Sequence, residues 1–454
     1  MKTNEKYIVE RNSKLKKISG NIVIIIIELM IIITLIVLIV EIYFFLLKTE
    51  EEKTAKHTFI ENNISNNNIT KNTIDENIIN ENIIEEPENK VITVELTSAE
   101  GMYDHDAYQA QIEKIARKYG ATGVSVAFFD EGKVIDTFLY GYAIKGRQEM
   151  TDDTKVRIAS ISKIFVGLAT MFSCEKRTMD LDEDIGTYWN CNIRTSSSND
   201  VITPRSILTH TSSISDTEDL SATFYSNMLY RLRSGSGIRN RISGDINNYY
   251  YNNYAMDVLG MTVELANGET LDTILNEGLY SKLGIDAAFF AGDLEDNSNV
   301  ATLYQADGSI GFDSSRLCAQ HEGAPGSKGW AFSGGVTISA KDLGKVMATI
   351  ANDGVYEGQR YISQKCIEEL EYHKNNNLDK FWQCQPLCYQ GDMYDQGEFY
   401  YHTGSAYGVY NLVGYNPNTK QGVAILTTGA NGSKDEEDVY CICSDIAELL
   451  LNIL

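Results

Sequence analysis

Two pairs of strand-like segments stand at opposite ends of residues 102–454, and that separation limits the fold more than any other feature. Gly123 to Phe129 and Lys133 to Tyr140 are rich in β-branched and aromatic residues and meet at Asp130-Glu131-Gly132, a hairpin signal. Tyr410 to Tyr415 and Gly422 to Thr428 meet at the turn residues Asn416-Pro417-Asn418. A lone hairpin is marginal in water, so each pair needs further strands or a helix to cover it. The middle of the chain between them is mainly helical and rich in loops. The expectation is an α+β body: one antiparallel sheet flanked by helices and assembled from both ends, with a helical subdomain inserted between them. A helix is predicted from Ala107 to Tyr119, with Tyr108, Ile112 and Ile115 on one side, and a last helix from about Glu437 to Leu451.

The N-terminal part has a different character. Residues 22–47 are a run of Ile, Leu, Val, Met and Phe interrupted only by Glu28, Thr34, Glu41 and Tyr43, longer than the roughly 20 residues that cross a bilayer. The stretch exceeds the apolar core of a cleaved signal peptide and lacks a small-residue cleavage site. Lys2, Lys6, Arg11, Lys14, Lys16 and Lys17 precede it, which predicts a single-pass anchor with residues 1–21 in the cytoplasm and everything after Lys48 exported. Residues 48–101 change to Asn, Glu, Ile, Thr and Lys without periodicity, the composition of a solvated, flexible tether. Residues 102–454 then form the exported body.

Charge and metal chemistry exclude some functions. The formal net charge is −24, which argues against a nucleic-acid partner, because phosphate contacts need clustered Lys and Arg. The six His residues include no His-Glu-x-x-His, and no Cys-x-x-Cys occurs, so neither a metal nor any other cofactor is expected.

The chemistry-bearing stretch is Ser160-Ile161-Ser162-Lys163, inside an apolar run. On a helix, residues three apart share a face, so an ammonium at Lys163 can reach a hydroxyl at Ser160. A serine hydroxyl needs a neighbouring base as it attacks a carbonyl. Lys163, beside Ile164, Phe165 and Val166, is poorly solvated in its charged form, which favours the free amine. Ser160 is placed in the first helical turn, where unpaired N–H groups favour negative charge. Roughly one or two Ser-x-x-Lys matches arise by chance in a chain this long, and Ser13 with Lys16 is such a match.

Two further elements give Ser160 its weight. Tyr251-Asn252-Asn253 precedes an apolar helix carrying Met256, Val258, Leu259, Met261 and Leu265; Tyr250-Tyr251-Asn252 and Tyr225-Ser226-Asn227 are competing registers. His402-Thr403-Gly404-Ser405 is predicted to open an edge strand, the glycine allowing a substrate backbone to approach closely.

Ser160-x-x-Lys163, Tyr251-x-Asn253 and His402-Thr403-Gly404, in that order, resemble the three motifs of the serine β-lactamase and penicillin-binding superfamily, and within it the class C β-lactamase and DD-peptidase branch. The resemblance covers about residues 105–452, and Leu259-Gly260 selects the Tyr251 and Asn253 register. It implies an acyl-enzyme with Ser160 as nucleophile and Lys163 as its base or hydrogen-bond partner. Tyr251 would be the proton relay, Lys163 and Tyr251 both remaining candidates for the acylation base. Asn253 would hold the substrate amide; the backbone N–H groups of Ser160 and Ser405 would form the oxyanion hole; His402 and Thr403 would face the substrate carboxylate or leaving group.

Where many β-lactamases carry Lys, this chain has His402, a cation expected to titrate near neutrality. No family motif is assigned to residues 375–398, which contain Trp382, Cys384, Cys388 and Tyr394. Cys384 and Cys388 are close enough to form a disulfide, with free thiols the alternative; Cys441 and Cys443, if helical, point to different sides. His210 is read as a structural loop residue. The expected activity is a membrane-anchored, extracytoplasmic DD-carboxypeptidase or D-amino-acid peptidase on peptidoglycan-like peptides. An esterase or β-lactamase of the same branch is the alternative enzyme, and a non-catalytic penicillin-binding sensor or scaffold the alternative class.

Overall fold

The computed structural model describes residues 104–194, 200–373 and 376–452. The anchor predicted at 22–47 and the tether at 48–101 lie outside these residues. Among the described residues no helix is long and apolar enough to cross a membrane.

The chain enters through helix α1 (His105–Lys118), capped by the Asp104 carboxylate, which accepts from the N–H groups of Asp106 and Ala107. Strands β1 (Gly123–Asp130) and β2 (Lys133–Ile144) follow. Asp130 pairs with Lys133, leaving Glu131 and Gly132 as a two-residue turn with φ of 44° and 74°. Positive φ at both positions is what a tight hairpin with right-handed twist requires. After β3 (Gln148–Glu149) come β4 (Lys155–Arg157) and helix α2 (Ser162–Glu175), and after a loop-rich stretch α3 (Asn253–Asn267). Strand β5 (Thr337–Ser339) runs directly into α4 (Ala340–Ala351). The last part holds β6 (Trp382–Gln383), β7 (Cys388–Gln390), β8 (Phe399–Ala406), β9 (Val409–Tyr415), β10 (Gly422–Thr428) and α5 (Cys441–Leu451).

The two ends do form one sheet. Its order is β6-β7-β8-β9-β10-β1-β2-β3, antiparallel throughout, and the join is β1 against β10, from Gly123 opposite Thr428 to Phe129 opposite Gly422. Side chains along β1 alternate between two cores. Val124, Val126 and Phe128 pack with Ile112 of α1 and with Ile442, Ile446 and Leu450 of α5. Ala127 and Phe129 belong to the other core, with Leu343 and Met347 of α4 and the apolar side chains of α2 and α3. A period of two thus gives each face of the sheet its own helical layer. The architecture is the α+β sheet-and-helix arrangement expected, with the helical region of α2 and α3 inserted between the strand groups.

Helix α2 is apolar on every side, and every residue from Ser162 to Ser173 is buried. Such a helix belongs in the middle of a core, not on its surface. Its two interior hydroxyls turn back on the helix: Thr170 donates to the Val166 carbonyl at 2.8 Å and Ser173 to that of Ala169 at 2.7 Å.

Candidate active site

Ser160 does not sit in the first turn of α2. It lies in a 3-10 turn, Ala159–Ile161, between β4 and the helix. Ala159 has φ of 52°, a left-handed conformation that costs a non-glycine residue free energy and persists where its surroundings enforce it. Those surroundings are a staple to one residue: the Ile158 N–H donates to the Val336 carbonyl at 2.9 Å, and the Val336 N–H donates to the Ser162 hydroxyl at 3.0 Å. Ser162, the third residue of Ser-x-x-Lys, therefore holds the turn while Ser160 remains partly exposed.

Strand β8 closes the other side. It begins at Phe399, so His402 lies within the strand and does not open it. Strand β7 pairs with β8 only from Phe399 to Tyr401, whereas β9 pairs along its whole length. Among the described residues no strand pairs with the β7 edge of β8 from His402 onward, and alternate backbone groups there are directed away from β9. Gly404 does not line the cavity; a Cβ there would lie 2.2 Å from the Ile158 carbonyl oxygen. The glycine lets β8 approach the Ser160 turn, not a substrate.

Lys163 is fully buried beneath the cavity, its ammonium donating to the Asn253 side-chain oxygen at 2.8 Å and to the Ser333 carbonyl at 2.9 Å. It also lies 4.9 Å from the centroid of the Tyr251 ring. The two asparagines of the Tyr251 motif divide their work. Asn252 caps α3, accepting from the Ala255 N–H at 2.7 Å and donating to the Ile214 carbonyl at 2.7 Å. Asn253, the first residue of α3, faces the cavity. In the other competing register, Tyr225 stacks on Trp189, 5.6 Å between centroids, and neither Tyr225 nor Asn227 lines the cavity.

The cavity is about 450 Å³, and Ser160, Tyr251, Asn253, His402, Thr403 and Ser405 all line it. Three spacings far apart in sequence are thus brought to one cleft.

His402 does not titrate near neutrality. Burial, reinforced by the positive charge of Lys163, pushes its pKa down to about 4. Its Nδ1 lies 2.7 Å from the Thr403 carbonyl, which can only accept, so Nδ1 carries the proton and Nε2 is left as an acceptor.

Several contributors have partners that the sequence does not show. Asp257, buried on α3, accepts from the Ser333 N–H at 2.7 Å, so it holds the same residue whose carbonyl Lys163 uses. Burial pushes this carboxyl up to about 7. His210, with φ of 57°, brackets Tyr251: its carbonyl accepts from the Tyr250 N–H at 2.9 Å and its Nδ1 from the Asn252 N–H at 3.3 Å. Its ring packs 4.5 Å from that of Tyr251. The residue is structural, and what it structures is the tyrosine's position.

The stretch without a motif forms one wall. Lys380, Phe381, Gln383 and Cys388 line the cavity, and Tyr249, Tyr401 and Tyr440 give it aromatic surface. Cys384 and Cys388 are free thiols, as are the other six cysteines; burial pushes Cys388 up to about 12. Among the described residues no group of three or more His, Cys, Asp or Glu side chains could hold a metal ion.

The beta-lactamase family model matches residues 108–440. No curated protein matches the chain. Among solved structures, the octameric penicillin-binding protein homologue from Pyrococcus abyssi superposes with a TM-score of 0.61 at 21% identity, over 77% of this chain and 76% of that one. A class C beta-lactamase gives 0.61 at 17% identity, over 76% and 95%. The D-alanine carboxypeptidase AmpC from Burkholderia cenocepacia gives 0.59 at 18% identity, over 77% and 98%.

Proposed function

Since the chain belongs to the beta-lactamase family and is a serine hydrolase, we propose that it is a DD-carboxypeptidase or D-amino-acid peptidase that cleaves wall-type peptides through an acyl-enzyme on Ser160. The observation that carries this reading is the convergence of Ser160, Tyr251 and Asn253 on one cavity with Lys163 bonded to Asn253 beneath it.

The Ser160 hydroxyl attacks the peptide carbonyl and gives its proton to whichever of Lys163 and Tyr251 is deprotonated in the reactive form of the pair. The developing oxyanion is received by the N–H groups of Ser160 and Ser405, each such donor typically worth about 3–4 kcal/mol. Tyr251 returns a proton to the leaving amine, and water then releases the acyl group from Ser160 with the same residues acting in reverse. Asn253 holds Lys163 and offers its amide to the substrate. The free edge of β8 from His402 to Ala406 supports a peptide substrate, because an extended backbone can pair along it. The anchor and tether expected from residues 22–101 would keep the domain on the outer face of the membrane, beside the wall.

The test is to incubate the protein with a fluorescent penicillin, a D-Ala-D-Ala peptide, a short-chain ester and a chromogenic cephalosporin. Labelling and peptide cleavage that both vanish in Ser160→Ala support the reading. Equal labelling of Ser160→Ala removes the covalent mechanism, and turnover of ester or cephalosporin without the peptide replaces the substrate class.

A further inference from the structure

A peptide acid brings a carboxylate into the cleft, and the cations around it are few. His402 is neutral above about pH 5, since burial and Lys163 push its pKa to about 4. Lys163 is fully buried and directed at Asn253 and the Ser333 carbonyl. Among the described residues lining the cavity, the side chains that carry positive charge are Lys380 and Lys434. Lys434 is already matched by Asp438 at 2.9 Å. Lys380 is not: its ammonium donates to the Glu436 carbonyl at 2.8 Å, and among the described residues it has no carboxylate partner.

Lys380 is also held in place. The Leu378 N–H donates to the Phe381 carbonyl at 2.8 Å, closing a tight turn that carries Lys380, and Phe381 rests edge-on against Tyr249, 6.3 Å between centroids. The bond to Glu436 ties the tip of this turn to the segment before α5. An ammonium has three donors. One is committed here, and two remain at the mouth of the cavity, where the lining carboxylate Glu437 is bonded to the Gln390 amide and forms no ion pair with Lys380.

We propose that Lys380 is the specificity-determining residue that recognises the substrate's free carboxylate. The proposal rests on the reading of the cleft as a peptide site, and it assigns the task to a segment with no recognisable motif. A lysine at an exposed rim acts through charge, so its effect is a few-fold to about tenfold in affinity and weakens as salt screens it.

The experiment measures equilibrium binding, so it does not depend on turnover. An N-acylated D-Ala-D-Ala dipeptide with a free carboxylate and its C-terminal carboxamide are titrated calorimetrically into the full chain carrying Ser160→Ala. The same is done with Lys380→Met or Lys434→Met added, circular dichroism serving as the check on folding. The expected result is an acid bound about three- to tenfold more tightly than the amide, with the preference lost in Lys380→Met, kept in Lys434→Met, and reduced at high salt. Equal preference with and without Lys380, loss of preference through Lys434 instead, or binding of neither peptide overturns the proposal. Failure of Ser160 to acylate would instead sink the enzymatic reading and leave the acid-over-amide preference standing.

Discussion

The Lys163 ammonium donates to the Asn253 side-chain oxygen across 2.8 Å, joining the helix after the Ser160 turn to the helix after Tyr251. Lys163 is fully buried, so each of its bonds replaces water. A hydrogen bond to a charged group is worth about 1.5–3 kcal/mol. Asn253→Ala is expected to lower stability by about 2 kcal/mol and to slow acylation of Ser160 at least tenfold. Asn253→Asp separates the two effects: a matching charge keeps the protein as stable as the parent, while the carboxylate lacks the side-chain N–H that would hold the substrate amide. Urea unfolding and the rate of penicillin labelling read the two quantities.

Gly404 is expected to be intolerant for a reason unrelated to substrate. An added Cβ would meet the Ile158 carbonyl oxygen at 2.2 Å and the Ile161 side chain at 3.3 Å. Overpacking of this kind typically costs about 1–3 kcal/mol, and here the atom displaced is backbone at the Ser160 turn. Gly404→Ala should lose about 3 kcal/mol in urea unfolding and, in the fraction still folded, label with penicillin far more slowly. A variant as stable and as reactive as the parent would mean that β8 and the turn can move apart freely.

How much of this is legible in the sequence depends on whether the signal is local. The sheet is readable because enrichment in β-branched and aromatic residues along β1 and β10 is a property of consecutive residues, and the turn between β1 and β2 follows from Asp130-Glu131-Gly132. Ser160 with Lys163, Tyr251 with Asn253, and the His402 triplet are readable because each is a short spacing. Asp257 and Ser333 are not, since their roles exist only through partners far away in sequence, and His210 is readable as a structural loop residue but not as the neighbour of Tyr251. The charge of His402 departs from expectation because residue type gives the ordinary pKa, while burial and the nearness of Lys163 set the actual one. Gly404 is special for the expected geometric reason but against a different neighbour. Ser162 is hidden inside the very motif that stands out.

His402 makes a prediction about acid stability. Its pKa in the folded state, about 4, lies below the ordinary value of 6.5. Between those values the unfolded chain binds a proton that the native site refuses, so the stability His402 contributes is complete above about pH 6.5 and is lost as pH falls to about 4. The loss attributable to this residue is about 3 kcal/mol. His402→Gln, which cannot take up the proton, is expected to gain on the parent by about that amount between pH 6.5 and pH 4 in urea titrations. A constant difference across that range would contradict the buried, neutral imidazole.

Asp257 works with the opposite sign. Burial lifts its pKa from 3.8 to about 7, so the native state keeps a proton that the unfolded chain releases; its contribution is complete below about pH 4 and is lost as pH rises through 7. Across the interval that the two residues share, one slope therefore offsets the other, and the parent's stability profile conceals both. Asp257→Asn keeps an oxygen for the Ser333 N–H but cannot ionise. It should gain on the parent by about 3 kcal/mol between about pH 5 and pH 8, the reverse of the trend in His402→Gln. Unfolding of both variants over one pH series distinguishes a carboxyl protonated beside Lys163 from a carboxylate ionised throughout. An ionised group would leave the Asp257→Asn difference flat, and Lys163 would then have a full counter-charge on the N–H of Ser333, the residue whose carbonyl it already binds.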